Sequence, residues 1–191
     1  MPLTSYTPGE VLTASSLNSN FTYASKTGGL VRVGGGTVGT SGSVAYASVF
    51  SSTYSSYYVI GSNLDCSSTT TFTFILTGIT AGYYTNRIIQ QYNSGASTAS
   101  LVANNAANSG AIGRVSTTQG AMFSMVLTNP NAAQYKTWTS TASEPDSAGF
   151  YITAGGFIGS TTQATGFTFT LDAGTLAGGR FDIYGYNEAV V

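Results

Sequence analysis

Apolar and polar residues alternate in short bursts over most of the chain. Phe72, Phe74 and Leu76 interleave with Thr71, Thr73 and Thr77, and Phe167, Phe169 and Leu171 interleave with Thr168 and Thr170. Phe123, Met125 and Leu127 repeat the pattern, as do Phe181 and Ile183. Successive side chains of a strand point to opposite faces, so a period of two predicts strands with one buried face. Further strands are expected through Tyr57 to Ile60, Tyr84 to Tyr92, Ser100 to Val102, Tyr135 to Thr139 and Phe150 to Ile152. Between them lie clusters that read as turns: Asn104-Asn105, Asn129-Pro130-Asn131, Gly155-Gly156 and Gly178-Gly179. Eight or more short strands without a helical period between them predict an all-β fold, an antiparallel β-sandwich or jelly roll. Its core should hold Phe50, Phe72, Phe74, Phe123, Phe167, Phe169 and Phe181.

The N-terminus has a different pattern. Thr13 is placed to cap a short helix through Phe21, with Leu12 before the cap and Leu17 four residues inside it, the spacing of a hydrophobic staple. Leu17 and Phe21 then share one helix face. So short a helix is marginal alone, and its apolar face must rest either on its own domain or on a partner. Val11, Leu12, Leu17 and Phe21 are the candidate anchoring residues. Gly28-Gly29 and Gly34-Gly35-Gly36 flank a strand-like run from Leu30 to Val33 and read as a hinge. The chain therefore divides into residues 1–27, an attachment segment that is helical or extended; 28–43, a Gly-rich connector; and 44–191, a β-sandwich domain.

Charge narrows the chemistry. The chain has 6 Lys plus Arg, 7 Asp plus Glu, no His and a formal net charge of -1. Six scattered cations make no basic patch, so neither nucleic acid nor an anionic membrane is an expected partner. No apolar run is long enough to span a bilayer, and the N-terminus lacks the basic and apolar regions of a secretion signal. Cys66 is the single cysteine, which precludes an intrachain disulfide. With no His to activate it, Cys66 reads as a small buried hydrophobe.

The absence of His, the commonest general base, and the scatter of the carboxylates point away from catalysis. Glu144-Pro145-Asp146 places two acids on one expected loop, but glycoside hydrolysis needs a raised acid opposite an ionised partner across a groove, and two exposed acids more simply keep a loop soluble. Asp65, Asp172 and Asp182 are isolated and lack the dense spacing of a calcium loop; a calcium site built from them with loop carbonyls is the minor alternative. Gly34-Gly35-Gly36 lacks the Lys and Ser or Thr of a phosphate-binding loop. No cofactor and no metal are expected. The aromatics are the better candidates: Tyr83, Tyr84, Tyr92, Trp138 and Tyr151 offer apolar faces and a polar tip to a sugar ring or to a neighbouring subunit.

Both ends of the chain carry a resemblance. The segment Tyr6-Thr7-Pro8-Gly9-Glu10-Val11-Leu12-Thr13-Ala14, followed by Leu17-Asn18, resembles the opening of many tail-fibre and other virion proteins of tailed bacteriophages, marine ones especially. Phe167 to Leu171, followed by Gly178-Gly179-Arg180-Phe181-Asp182-Ile183-Tyr184-Gly185-Tyr186, is similar to the closing hairpin of β-sandwich domains in such proteins, and the stretch from Phe50 to Tyr57 resembles their early aromatic run. The resemblance implies a non-enzymatic virion surface protein, made in the host cytoplasm and commonly a homotrimer. Its N-terminal segment would dock on other virion proteins, of tail or capsid, and its β-sandwich would face outward, toward a host-surface glycan in a receptor-contacting fibre. No long shaft repeat separates the two parts, so tail fibre and capsid decoration both stay open. Outside a particle, the alternative is a carbohydrate-binding β-sandwich.

Overall fold

A computed structural model describes residues 13–15, 18, 29–93, 96–117, 120–145 and 149–187. Its strands are β1 (Gly29–Thr37), β2 (Ser43–Tyr46), β3 (Ser56–Cys66), β4 (Thr70–Leu76), β5 (Tyr83–Asn93), β6 (Ala96–Ala107), β7 (Gly110–Val115), β8 (Ala121–Thr128), β9 (Lys136–Glu144), β10 (Phe150–Ile158), β11 (Phe167–Leu171) and β12 (Leu176–Asn187). They form two antiparallel sheets, one of eight strands in the order β1-β12-β3-β8-β9-β10-β5-β6 and one of four in the order β2-β11-β4-β7. The chain is an all-β sandwich.

The strand order divides the sandwich in two. β1-β12-β3-β8 facing β2-β11-β4-β7 is the arrangement of an eight-stranded jelly roll. The remaining strands are two hairpins inserted into it. β5–β6 leaves after β4 and returns to β7, while β9–β10 leaves after β8 and returns to β11. Both insertions add to the same side of the large sheet, beyond β8, and we call them the annex. The small sheet ends at β7, which packs across β9 and β10 and touches β5. The outer strand β6 extends past that cover.

Alternation decides what the jelly roll buries. Phe72 of β4 and Phe169 of β11 meet Phe123 of β8 and Phe181 of β12, and every pair among these four rings is in contact, with centroids 4.8–5.9 Å apart. Phe50, Phe74 and Phe167 complete the expected core, and all seven phenylalanines are buried. Offset and tilted ring pairs add to the burial of their area, so this cluster is the main joint between the sheets. Gly61 makes room for it, because a Cβ there would run into the Phe123 ring. Cys66 is buried at the end of β3, its Sγ 2.8 Å from Ser68 O and 3.2 Å from Ser116 O.

Several expected turns and links are strands. Gly34-Gly35-Gly36, read as a flexible link, lies within β1 and pairs with Ile183, Asp182 and Phe181 of β12. Gly35 is needed there for close approach: its φ is +119°, and a Cβ would meet the Phe181 carbonyl. The stretch assigned to a connector thus supplies an edge strand of the large sheet. Gly155-Gly156, Asn104-Asn105 and Gly178-Gly179 also lie inside strands, β10, β6 and β12, where Gly155, Gly156, Asn104 and Gly178 pair with neighbouring strands and Asn105 and Gly179 fall at irregularities of the ladder. Asn129-Pro130-Asn131 does turn the chain between β8 and β9. Near the N-terminus, Ala14, Ser15 and Asn18 are helical, while Val11, Leu12, Leu17 and Phe21 lie outside the described residues.

Candidate functional site

Strand parity sorts the five candidate aromatics. On β5 the odd positions face the sandwich interior and the even ones the outer face of the large sheet, so Tyr83 and Tyr84 must point opposite ways. Tyr83 is fully buried: its hydroxyl accepts from Leu76 N at 2.7 Å and donates to Ile79 O at 2.9 Å. Burial pushes its phenol up to about 12. Trp138 is buried as well, edge-on to Phe74 with centroids 5.3 Å apart. Tyr83 and Trp138, expected as ligand or subunit contacts, are core residues. Tyr84 is half-buried and stacks on Phe157 at 4.4 Å, across the β5–β10 pairing.

Tyr92 and Tyr151 are brought together. Tyr151 of β10 stands opposite Gln90 of β5, and Tyr92 is two residues further along the same face. Such diagonal neighbours lie about 7–8 Å apart between Cα atoms. Tyr92 is 64% exposed and Tyr151 48%. With Gln90, Gln91, Thr98 and Ser143 they line an open pocket of about 570 Å³ at one corner of the annex. Two exposed phenol rings flanked by amides and hydroxyls supply stacking faces and hydrogen-bond donors and acceptors, the combination that a sugar ring can use on its apolar face and at its hydroxyl rim. Gln90 was legible as a partner, since it falls two residues before Tyr92 in an expected strand.

The chain matches no family model, no curated protein and no solved structure.

The acidic candidates separate. Glu144 is no exposed loop acid but the buried last residue of β9, with Arg114 Nε 3.4 Å from its carboxylate. The Arg114 guanidinium in turn lies 4.0 Å over the Phe150 ring. Asp146 lies outside the described residues. Asp182 is held by Arg180 and Arg32, at 2.6 Å and 2.9 Å, and the hydrogen bond from Arg180 first, then that from Arg32, holds its carboxyl below the usual range. Among the described residues no three carboxylates or cysteines gather as a metal site would require.

The outer face around the tyrosine pair is uncharged. Thr137, Thr139, Thr141 and Ser143 project from β9, while Met122 and Val126 project from β8 beside them. At the free edge, β6 carries no charged side chain and presents Leu101 at 83% exposure. The opposite edge is guarded by Arg32, Arg180 and Asp182, a usual device against edge-to-edge pairing.

Proposed function

We propose that this chain is a non-enzymatic structural protein on the surface of a tailed-phage virion, a short fibre or receptor-contacting protein anchored by residues 1–27. Its β-sandwich faces outward as a homotrimer, and the Tyr92 and Tyr151 corner contacts a host-surface glycan. The observation that carries the reading is this corner: two exposed aromatics held on paired strands of the large sheet, flanked by Gln90, Gln91, Thr98 and Ser143, with the buried Glu144 in the pocket wall. The N-terminal resemblance supports the particle, and the uncharged β6 edge suits contact between copies. Capsid decoration is the second reading. It is favoured because β1 begins at Gly29, with no shaft between the attachment segment and the sheet.

Immunogold labelling of intact particles with antibody to the β-domain tests both. Gold at the tail supports the fibre, and gold over the head supports decoration. Particles that carry none, from a lysate in which the protein is abundant, would overturn the virion assignment.

A further inference from the structure

A second annex site faces the sandwich interior, away from the tyrosine pair. Where the small sheet stops at β7, a cleft of about 270 Å³ opens between that edge and the inner face of β5 and β10. Thr69, Thr70 and Thr71 line it from the start of β4, Arg114 from β7 and Arg87 from β5. Two of only six cations in the chain thus meet in one cleft. Arg114 is engaged by Glu144, which leaves Arg87 as the group with charge to spare. Its Nε is buried without a hydrogen-bond partner, and among the described residues no carboxylate lies within ion-pair distance of it. Among the described residues, Asp172 is the acid whose field reaches it, from an exposed turn. Burial lowers the Arg87 pKa against that field.

Arg87 is half-buried, and its Nε sits away from solvent without a partner, a cost that a ligand completing the pair would offset. We propose that this cleft binds a small oxyanion, a sulfate ester or carboxylate carried by an acidic glycan. The planar Arg87 fork engages its oxygens, and the Thr69 and Thr71 hydroxyls lie at the mouth to donate the remaining hydrogen bonds. Thr70 is already committed, accepting from Ala173 N at 3.0 Å. The glycan source rests on the receptor-contacting reading, whereas the oxyanion site does not.

The test measures binding of inorganic sulfate, a sulfated oligosaccharide and a uronate oligosaccharide to the full chain by calorimetry at fixed ionic strength, with chloride as the balancing ion. Arg87→Gln should lower affinity for the oxyanion at least tenfold. In oxyanion-free buffer its melting temperature should be no lower than that of the wild type. Asp172→Asn should bind at least as tightly as the wild type. Tighter binding of an acidic oligosaccharide than of sulfate supports a glycan source, while equal affinity would keep the ion site and overturn that source. Absence of binding by all three probes, an equal affinity in Arg87→Gln, or a destabilised Arg87→Gln without ligand would each overturn the site.

Discussion

The two halves of the large sheet are built from the same antiparallel ladder and differ in what lies over them. Over β1, β12, β3 and β8 the small sheet supplies phenylalanines, and four rings from both sheets lock together. Over the annex the cover thins to β7, and the inward positions of β5 change from Tyr83 and Thr85, both buried, to Arg87, Ile89 and Gln91, all partly exposed. The jelly roll spends its side chains on cohesion. The annex buries a more mixed set of side chains, Trp138, Ala142, Ile152 and Ile158 among them, and adds a polar root at the base of each hairpin. Tyr83 roots β5–β6 through Leu76 and Ile79. Lys136 roots β9–β10, its ammonium donating to Ala132 O, Gln134 O and Ser160 O on the two flanks of that hairpin.

Substitutions ordered along this gradient test the contrast. Phe169→Ala, in the four-ring cluster, should cost about 3–5 kcal/mol in denaturant melts, as deletion of a buried ring does. A loss comparable to that of an annex surface substitution would mean that the ring cluster is not the main joint. Lys136→Met should cost about 1–3 kcal/mol, because three carbonyls lose their donor. Hydrogen exchange should then rise in β9 and β10 before it rises in β3 or β12; uniform loss of protection would remove the idea of a separately rooted annex.

Tyr83→Phe should cost about 1 kcal/mol through the orphaned Leu76 N–H. Tyr83 also sets a pH dependence. Its phenol ionises later in the folded chain, near 12, than the ordinary value of 10.0. Its contribution is therefore complete below pH 10 and is lost as pH rises from 10 to 12. The variant should lack this part of the alkaline decline, and an ultraviolet titration should lose one late phenol. Smallest in stability is the double substitution Tyr92→Ala with Tyr151→Ala, expected within about 0.5 kcal/mol per site as for exposed residues. Binding to the host surface should nonetheless fall; unchanged binding would move the contact elsewhere.

Where one sheet face is buried and the other is wet, the sequence carries the fold openly, as in the Phe–Thr alternation of β4 and β11. β7 escaped notice because Gly110 to Val115 is buried on both faces, apart from Arg114, and so shows no period of two. The Gly34–Gly36 half of β1 and the middle of β10 are hidden by glycines, which read as breaks until the partner strand that crowds them is known. The site was half legible. Alternation alone separates Tyr83 from Tyr84 and aligns Gln90 with Tyr92, but the meeting of Tyr92 with Tyr151 depends on the register between β5 and β10, a long-range pairing. Arg87 could have been flagged as a charge at an inward position of a predicted strand.

Cys66 turns the joint between β3 and the start of β8 into a timepiece. Burial pushes its thiol up, with nearby Asp65 and Glu144 adding to the effect, so little reactive thiolate exists at neutral pH. Its sulfur is shut in beside Ser116, just before the loop that leads to β8. A thiol-directed reagent therefore modifies the chain in proportion to the time this end of the sandwich spends open, and the single cysteine reports that opening without any engineered label.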